Sequence, residues 1–240
     1  MVIIDNSTWR ENVGRKIKEL KQLVRKAMYT KTAVAIYNKF NPNNHLRMRK
    51  NNKFVCGGVL NSVDILINGV NNIIEIGEGC ILRNCTIRVY GNNNRICIEE
   101  NVQINSGQFW VEDDYGSIVI AKKTTVNGKT EFACIEGKNI LVGEDCMFSS
   151  NITLITGDSH SILDMQGKRI NPSGDIIIGE HTWIGEGVTI LKGVHLANNT
   201  IIGSKALITK SFLDEFTAIA GVPANVVKKA VKWDRKRLAL

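Results

Sequence analysis

From residue 178 onward an aliphatic side chain recurs at every sixth position: Ile178, Ile184, Ile190, Leu196, Ile202 and Ile208. Glycine follows at 179, 185 and 203. An α-helix repeats every 3.6 residues and a strand every two, so neither calls for a strict six. A triangular parallel β-coil does, because one residue of each short face points inward and three faces complete a rung. The middle of the chain repeats with a longer step. NNIIEIGEGC (71–80), NNRICIEENV (93–102), YGSIVIAKKT (115–124) and GKNILVGEDC (137–146) align at a spacing of 22. They put Ile74, Ile96, Ile118 and Ile140 in one column, and Ile76, Ile98, Ile120 and Val142 in a second. Leu82, Ile104, Val126 and Phe148 form a third. Stacked columns of this kind bury a continuous apolar core, which is how a solenoid is stabilised. Polar pairs ahead of each strand, such as Asn71-Asn72 and Asn93-Asn94, suit corners that need left-handed backbone.

The step from Val142 to Ile178 is 36 residues and breaks the repeat. It holds either two plain rungs or one rung plus an excursion, and the Gly, Pro, Asn and Ser content of 166–174 favours a loop. The ends read as helical. Apolar residues at 9, 13, 17, 20, 24 and 27/28 have the spacing of an amphipathic helix, with Ser7 and Thr8 as N-cap candidates. This helix is expected to stop near Thr30–Thr32, with 38–53 a basic linker and 226–238 a short basic helix. The expected organisation is therefore a basic helical segment over 1–55, a β-helix domain over 56–220, and a C-terminal loop and helix over 221–240. The fold class is mainly β.

Charge is segregated. Residues 1–55 balance at +10, residues 56–225 at −7 and residues 226–240 at +5. Basic ends on an acidic body suit a polyanion, an acidic membrane surface or a phosphorylated ligand. No run of about 18 apolar residues occurs, and the apolar start is broken by Asp5 and Asn6. A cytoplasmic location is expected, so the six cysteines are expected to be reduced and packed in the core. Cys80 and Cys146 share one repeat position.

The hexads come with FSSNITLITGDSHSI (148–162), KRINPSGDIIIGEHTWIGEGVTILKGV (168–194) and AIAGVPANVV (218–227). In this combination the chain resembles the hexapeptide-repeat acyltransferases, and within them the O-acetyltransferases of bacterial capsules and lipopolysaccharides. The resemblance is strong over about 140–227, rests on the repeat alone over 71–139, and is absent over 1–55. It implies a left-handed parallel β-helix, acetyl-CoA as donor and a homotrimer.

Acetyl transfer from a thioester to a hydroxyl needs a base for the hydroxyl proton, and imidazole has a suitable pKa. Of His45, His160, His181 and His195, only His160 lies in the polar insertion, and it matches the family's catalytic histidine. Asp158, two residues earlier, is a candidate to orient the imidazole, as in triad logic. The alternative role for Asp158 is an Asx turn that shapes the loop. Trp183 occupies an outward hexad position, where an indole can wall a sugar or the pantetheine arm. The resemblance places it near the histidine. His181 is expected on the same side as Trp183. The histidines lie too far apart in sequence for a metal set, so none is expected.

The resemblance assigns Gly185, Gly203 and Ser204 to the pantetheine slot. It assigns Lys205 and Lys210, with Lys228 and Lys229, to the donor phosphates, and Gly221 and Pro223 to the adenine end. The chain departs from the family pattern in Gly203-Ser204-Lys205-Ala206, where the family reads G-A-G-S, and at Val222 and Asn225. The reading is O-acetylation of a bacterial surface polysaccharide or its precursor by direct transfer. The alternatives are N-acetylation of an amino or nucleotide sugar, and a non-catalytic scaffold. A glycan acceptor is expected, no nucleic acid is, and the basic N-terminus is expected to contact a membrane-linked or polyanionic glycan at the inner membrane face.

Overall fold

The structure, a computed structural model, describes residues 31–238. It is a left-handed parallel β-helix of seven turns. Face one carries seven strands: Lys53–Cys56, Ile73–Ile76, Arg95–Ile98, Ser117–Ile120, Asn139–Val142, Ile176–Ile178 and His195–Leu196. Face two includes Gln103–Ile104, Thr125–Val126, Met147–Phe148, Trp183–Ile184 and Ile201–Ile202. Face three includes Gly107–Val111, Thr130–Cys134, Ile152–Ile155, Thr189–Ile190 and Leu207–Ile208. In the first rungs one long strand serves both faces: Ile81–Tyr90 turns the corner at Asn84, where φ is 51°.

The predicted columns are the observed registers. Ile74 pairs with Ile96, Ile96 with Ile118, Ile118 with Ile140 and Ile140 with Ile176. The six hexad aliphatics, and every member of the three 22-spaced columns, are no more than 2% exposed. Burying one such side chain stabilises the coil by about 1.5–3 kcal/mol. The extra residues of the 22-residue rungs lengthen face three and its corner to face one, where Phe109 and Phe132 stack at 4.9 Å.

The corners repeat as regularly as the faces. Asn71 and Asn93 both have φ of 58°, as their polar character predicts. Their neighbours Asn72 and Asn94 are buried and form a ladder. Asn72 N donates to Asn52 Oδ1, Asn94 N to Asn72 Oδ1 and Gly116 N to Asn94 Oδ1, at 2.7–2.9 Å. Each asparagine thus satisfies a backbone N–H of the next rung that the turn leaves unpaired.

The ends differ from expectation. The helix read from Trp9 lies outside the described residues. The described helix, α1 (Lys31–Phe40), follows the expected stop, and Asn38 Nδ2 ties it to Gly58 O at 2.8 Å. Residues expected to be linker instead form the strands His45–Met48 and Lys53–Cys56, so the coil begins earlier than 56. Each has a partner strand ready beside it, which short polar-rich sequences do not advertise. The expected C-terminal helix over 226–238 is replaced by Ala224–Lys229, antiparallel to Thr217–Gly221, and by an irregular segment that runs back along the coil. Among the described residues no helix is long and apolar enough to cross a membrane.

Candidate active site

The 36-residue step pairs Val142 directly with Ile178, so it holds one rung and one excursion. The chain leaves the coil after Thr156 and returns at Gly174, whose N–H donates to Thr156 O at 2.9 Å. The arm is a narrow hairpin. Ile170 N donates to Ile162 O, and Asp164 closes the tip by accepting from Lys168 N at 2.8 Å. Ile162, Leu163, Met165 and Ile170 are each more than half exposed on it.

His160 stands exposed at the base of this arm, directly after Ser159, whose φ is 60°. Its backbone N–H donates to Asp158 O at 2.7 Å, and its ring is hydrogen-bonded to no described residue. Asp158 does not orient that ring here. Its Oδ2 accepts from Lys192 Nζ at 2.5 Å and from Asn171 Nδ2 at 2.7 Å. These two donors hold the Asp158 carboxyl below the usual carboxylate range. Asn171 is buried and knots the arm. Its Nδ2 also donates to His160 O at 2.8 Å, and its Oδ1 accepts from Ile162 N at 2.7 Å. Arg169 makes a forked pair with Glu136 at 2.7 and 3.0 Å, fastening the arm's return strand to the neighbouring rung.

The residues expected at the donor fall on both edges of face three. Gly185, Gly203, Ser204, Lys205 and Gly221 stack on the corner between faces two and three, following the register of Ile202 with Ile184 and Ile219. Rung spacing itself demands Gly185, because a Cβ there would come within 2.7 Å of Ser204 N. Ser204 and Lys205 are exposed at this corner. Pro223, after a cis peptide bond, lies in the tip of the terminal hairpin. Lys210 belongs to the opposite edge. The register of Leu154, Ile190 and Ile208 places it one rung beyond Lys192, beside the arm. Its Nζ donates to Asn225 Oδ1 at 3.0 Å, which links this edge to the terminal hairpin.

Trp183 opens its strand on face two and is 37% exposed. His181 is not on that strand. It sits at the preceding corner with φ of 50°, and its Nδ1 is 2.8 Å from Asp145 Oδ2. Within one chain the arm that carries His160 leaves the coil at one edge of face one, and Trp183 opens its strand beyond the other edge. Among the described residues, no group of three or more His, Cys, Asp or Glu side chains is placed to hold a metal ion. Sequence reasoning missed Asn171, Lys192, Trp233 and Arg235. None of them occupies a repeat position with a predicted side-chain role.

Residues 175–210 match the family model for the bacterial transferase hexapeptide, six repeats. The polysialic acid O-acetyltransferase of Neisseria meningitidis is 38% identical over 177 residues, covering 73% of this chain and 81% of the relative. The chain is a hexapeptide-repeat acyltransferase. The acyltransferase also matches a putative lipopolysaccharide biosynthesis O-acetyl transferase of Escherichia coli K12, 28% identical over 73% of this chain and 89% of that one. Its fold superposes on the crystal structure of the polysialic acid O-acetyltransferase OatWY with a TM-score of 0.75. The two are 34% identical, over 81% of this chain and 92% of that one.

Proposed function

We propose that this acyltransferase moves acetyl from acetyl-CoA to a hydroxyl of an acidic bacterial surface polysaccharide, of the class its relatives acetylate. The observation that carries this reading is His160, an exposed imidazole with no hydrogen-bond partner among the described residues, on an arm fixed to the coil at both strands. An imidazole in that condition is free to take a hydroxyl proton as the oxygen attacks the thioester carbonyl. The carbonyl oxygen gains charge, which a backbone N–H at a coil corner would stabilise. Collapse then expels the thiol, and no acyl-enzyme is needed.

Face three of the last rungs forms a lane between the glycine corner and the arm, with Thr153, Thr189 and Leu207 as its outward floor. The donor chemistry fits this lane. Lys205 and Lys210 present exposed ammonium groups for its phosphates, and Gly185 and Gly203 leave backbone rather than side chains along one edge. Gly221 and Pro223 are assigned to the adenine end.

The separation of His160 from Trp183 supports a site completed between copies, with His160 of one subunit facing Trp183 of the next in a homotrimer. The exposed apolar residues of the arm suit burial against such a neighbour. The basic N-terminal segment is assigned to the anionic polymer, and the enzyme to the cytoplasmic side of the inner membrane.

The test is thiol release from acetyl-CoA against a panel of acidic polysaccharides, neutral polysaccharides and amino sugars. Release with an acidic polysaccharide and an alkali-labile product supports the reading. Release with amines alone replaces it with N-acetylation.

A further inference from the structure

The segment after the terminal hairpin forms a strap across three rungs, on the coil edge that bears Trp183. Trp233 is only 9% exposed although it lies outside the coil. Its ring stacks on His181 at 4.2 Å and 11°. The two residues interlock, since Trp233 Nε1 donates to His181 O at 2.8 Å and His181 Nε2 lies 3.3 Å from Trp233 O. Two residues on, Arg235 reaches two rungs further down. Its Nε donates to Asp145 Oδ1, its Nη1 to Thr125 Oγ1 and its Nη2 to Cys146 O, each at 2.8 Å. Asp145 is thereby shared between Arg235 and His181. Burial acts to raise the Asp145 carboxyl, but the hydrogen bonds from His181 and Arg235 outweigh it and hold the group in its charged form.

The strap ends this close packing against Trp183, whose ring lies 6.1 Å from Trp233 at 45°. This tilted arrangement is a favoured aromatic geometry. Trp233 flanks the Trp183 indole, which stays 37% exposed to solvent. An exposed tryptophan on a two-residue strand samples several rotamers, and a buried ring against one side removes some of them.

We propose that Trp233 is a positioning residue for the transfer reaction, locked by Arg235 and His181, and that it fixes Trp183 in the orientation that receives the acceptor sugar. This rests on the reading of Trp183 as an acceptor contact.

The test uses the full chain with steady-state kinetics for donor and acceptor separately. Trp233→Ala is expected to raise acceptor KM about tenfold, with kcat and donor KM little changed. Trp233→Phe, which keeps a ring beside Trp183, should recover most of that loss. Arg235→Gln, which loosens the lock but keeps the indole, should give a smaller rise in the same parameter. Trp183→Ala alone should raise acceptor KM, and adding Trp233→Ala to it should change little more, as expected for residues acting through one another. Unchanged acceptor KM in folded Trp233→Ala and Arg235→Gln, with Trp183→Ala impaired, overturns the positioning role. Unchanged acceptor KM in Trp183→Ala overturns the reading of Trp183 itself, and with it this proposal. A fall in kcat and in both affinities together, unrescued by phenylalanine, would show that the strap is only structural and would also overturn it.

Discussion

Lys192 Nζ lies 2.5 Å from Asp158 Oδ2, and this pair ties the arm that carries His160 to a corner of the coil. Asp158 therefore serves His160 through the backbone. With Asn171, which bonds both the Asp158 carboxylate and His160 O, it sets where the imidazole stands and leaves the ring free to accept a proton. Asparagine in place of Asp158 would keep the shape of the turn and lose the charge.

Loss of the knot should be read in turnover more than in stability. Asn171→Ala removes a buried amide with several partners, and kcat is expected to fall about tenfold to a hundredfold. Lys192→Met removes one partly exposed ion pair, worth at most about 1 kcal/mol of stability, and should leave the melting temperature nearly unchanged while lowering kcat. Thermal unfolding and steady-state kinetics on both variants check this.

The pH dependence follows from the same pair. Lys192 and then Asn171 hold the folded Asp158 carboxyl below its ordinary value, so the folded arm favours the charged form. For such a group the stabilisation is fully present above the ordinary carboxylate range and is lost only as pH falls through the lowered folded value. Between about pH 7 and about pH 5 the anchor should stay intact, so a fall in turnover there would not come from loss of the Asp158–Lys192 pair. Profiles of the wild type and Asp158→Asn should share one shape across that window. A descending limb that disappears in Asp158→Asn would contradict this.

The asparagine ladder predicts unequal costs at adjacent positions. Asn94→Ala leaves Gly116 N–H and Asp113 C=O without side-chain partners and should destabilise the coil by about 2–3 kcal/mol. Asn93→Ala keeps the ladder but puts alanine at φ of 58°, at a cost of about 1 kcal/mol. Denaturant melts of the two variants distinguish them.

The buried thiols should be inert. Burial pushes Cys80 up to about 11, and Cys134 and Cys146 up to about 12. At neutral pH none of the three supplies thiolate. A colourimetric disulfide reagent should modify them only after unfolding, and rapid native labelling of more thiols than the partly exposed Cys56 and Cys97 would contradict the packing.

A site shared between copies predicts complementation. His160→Ala should be nearly inactive, and Trp183→Ala weakly active at acceptor concentrations below its raised KM. Mixed, unfolded and reassembled, they should regain part of the wild-type activity, because some interfaces then hold both intact residues. Light scattering on the same samples checks the trimer.

The coil was legible in the sequence because its inward positions are set by burial alone, and burial repeats wherever the backbone repeats. Ile74, Ile96 and Ile118 occupy equivalent space, so selection for volume leaves a visible period. The corners were readable for a related reason, since left-handed backbone favours asparagine and glycine at fixed offsets. The ends were not readable. Lys53–Cys56 is a strand because a partner edge is present, which its own residues do not encode. Residues 226–238 carry enough lysine and arginine to pass for a helix, yet Trp233 and Arg235 are placed by contacts with His181, Asp145 and Thr125, far away in sequence. The site was half legible. His160 was singled out by its chemistry and its place in the 36-residue step that breaks the repeat. The partners of Asp158 depend on Asn171 and Lys192, which meet it only once the arm has folded back.

The most direct test of the account is the rate of acetyl transfer from acetyl-CoA to an acidic polysaccharide by the wild type and by His160→Ala. With His160 as general base, the variant should lose a factor of about 10²–10⁴ in kcat while binding CoA with unchanged affinity. Wild-type turnover in a folded His160→Ala variant would contradict the assignment and move the chemistry to another part of the lane.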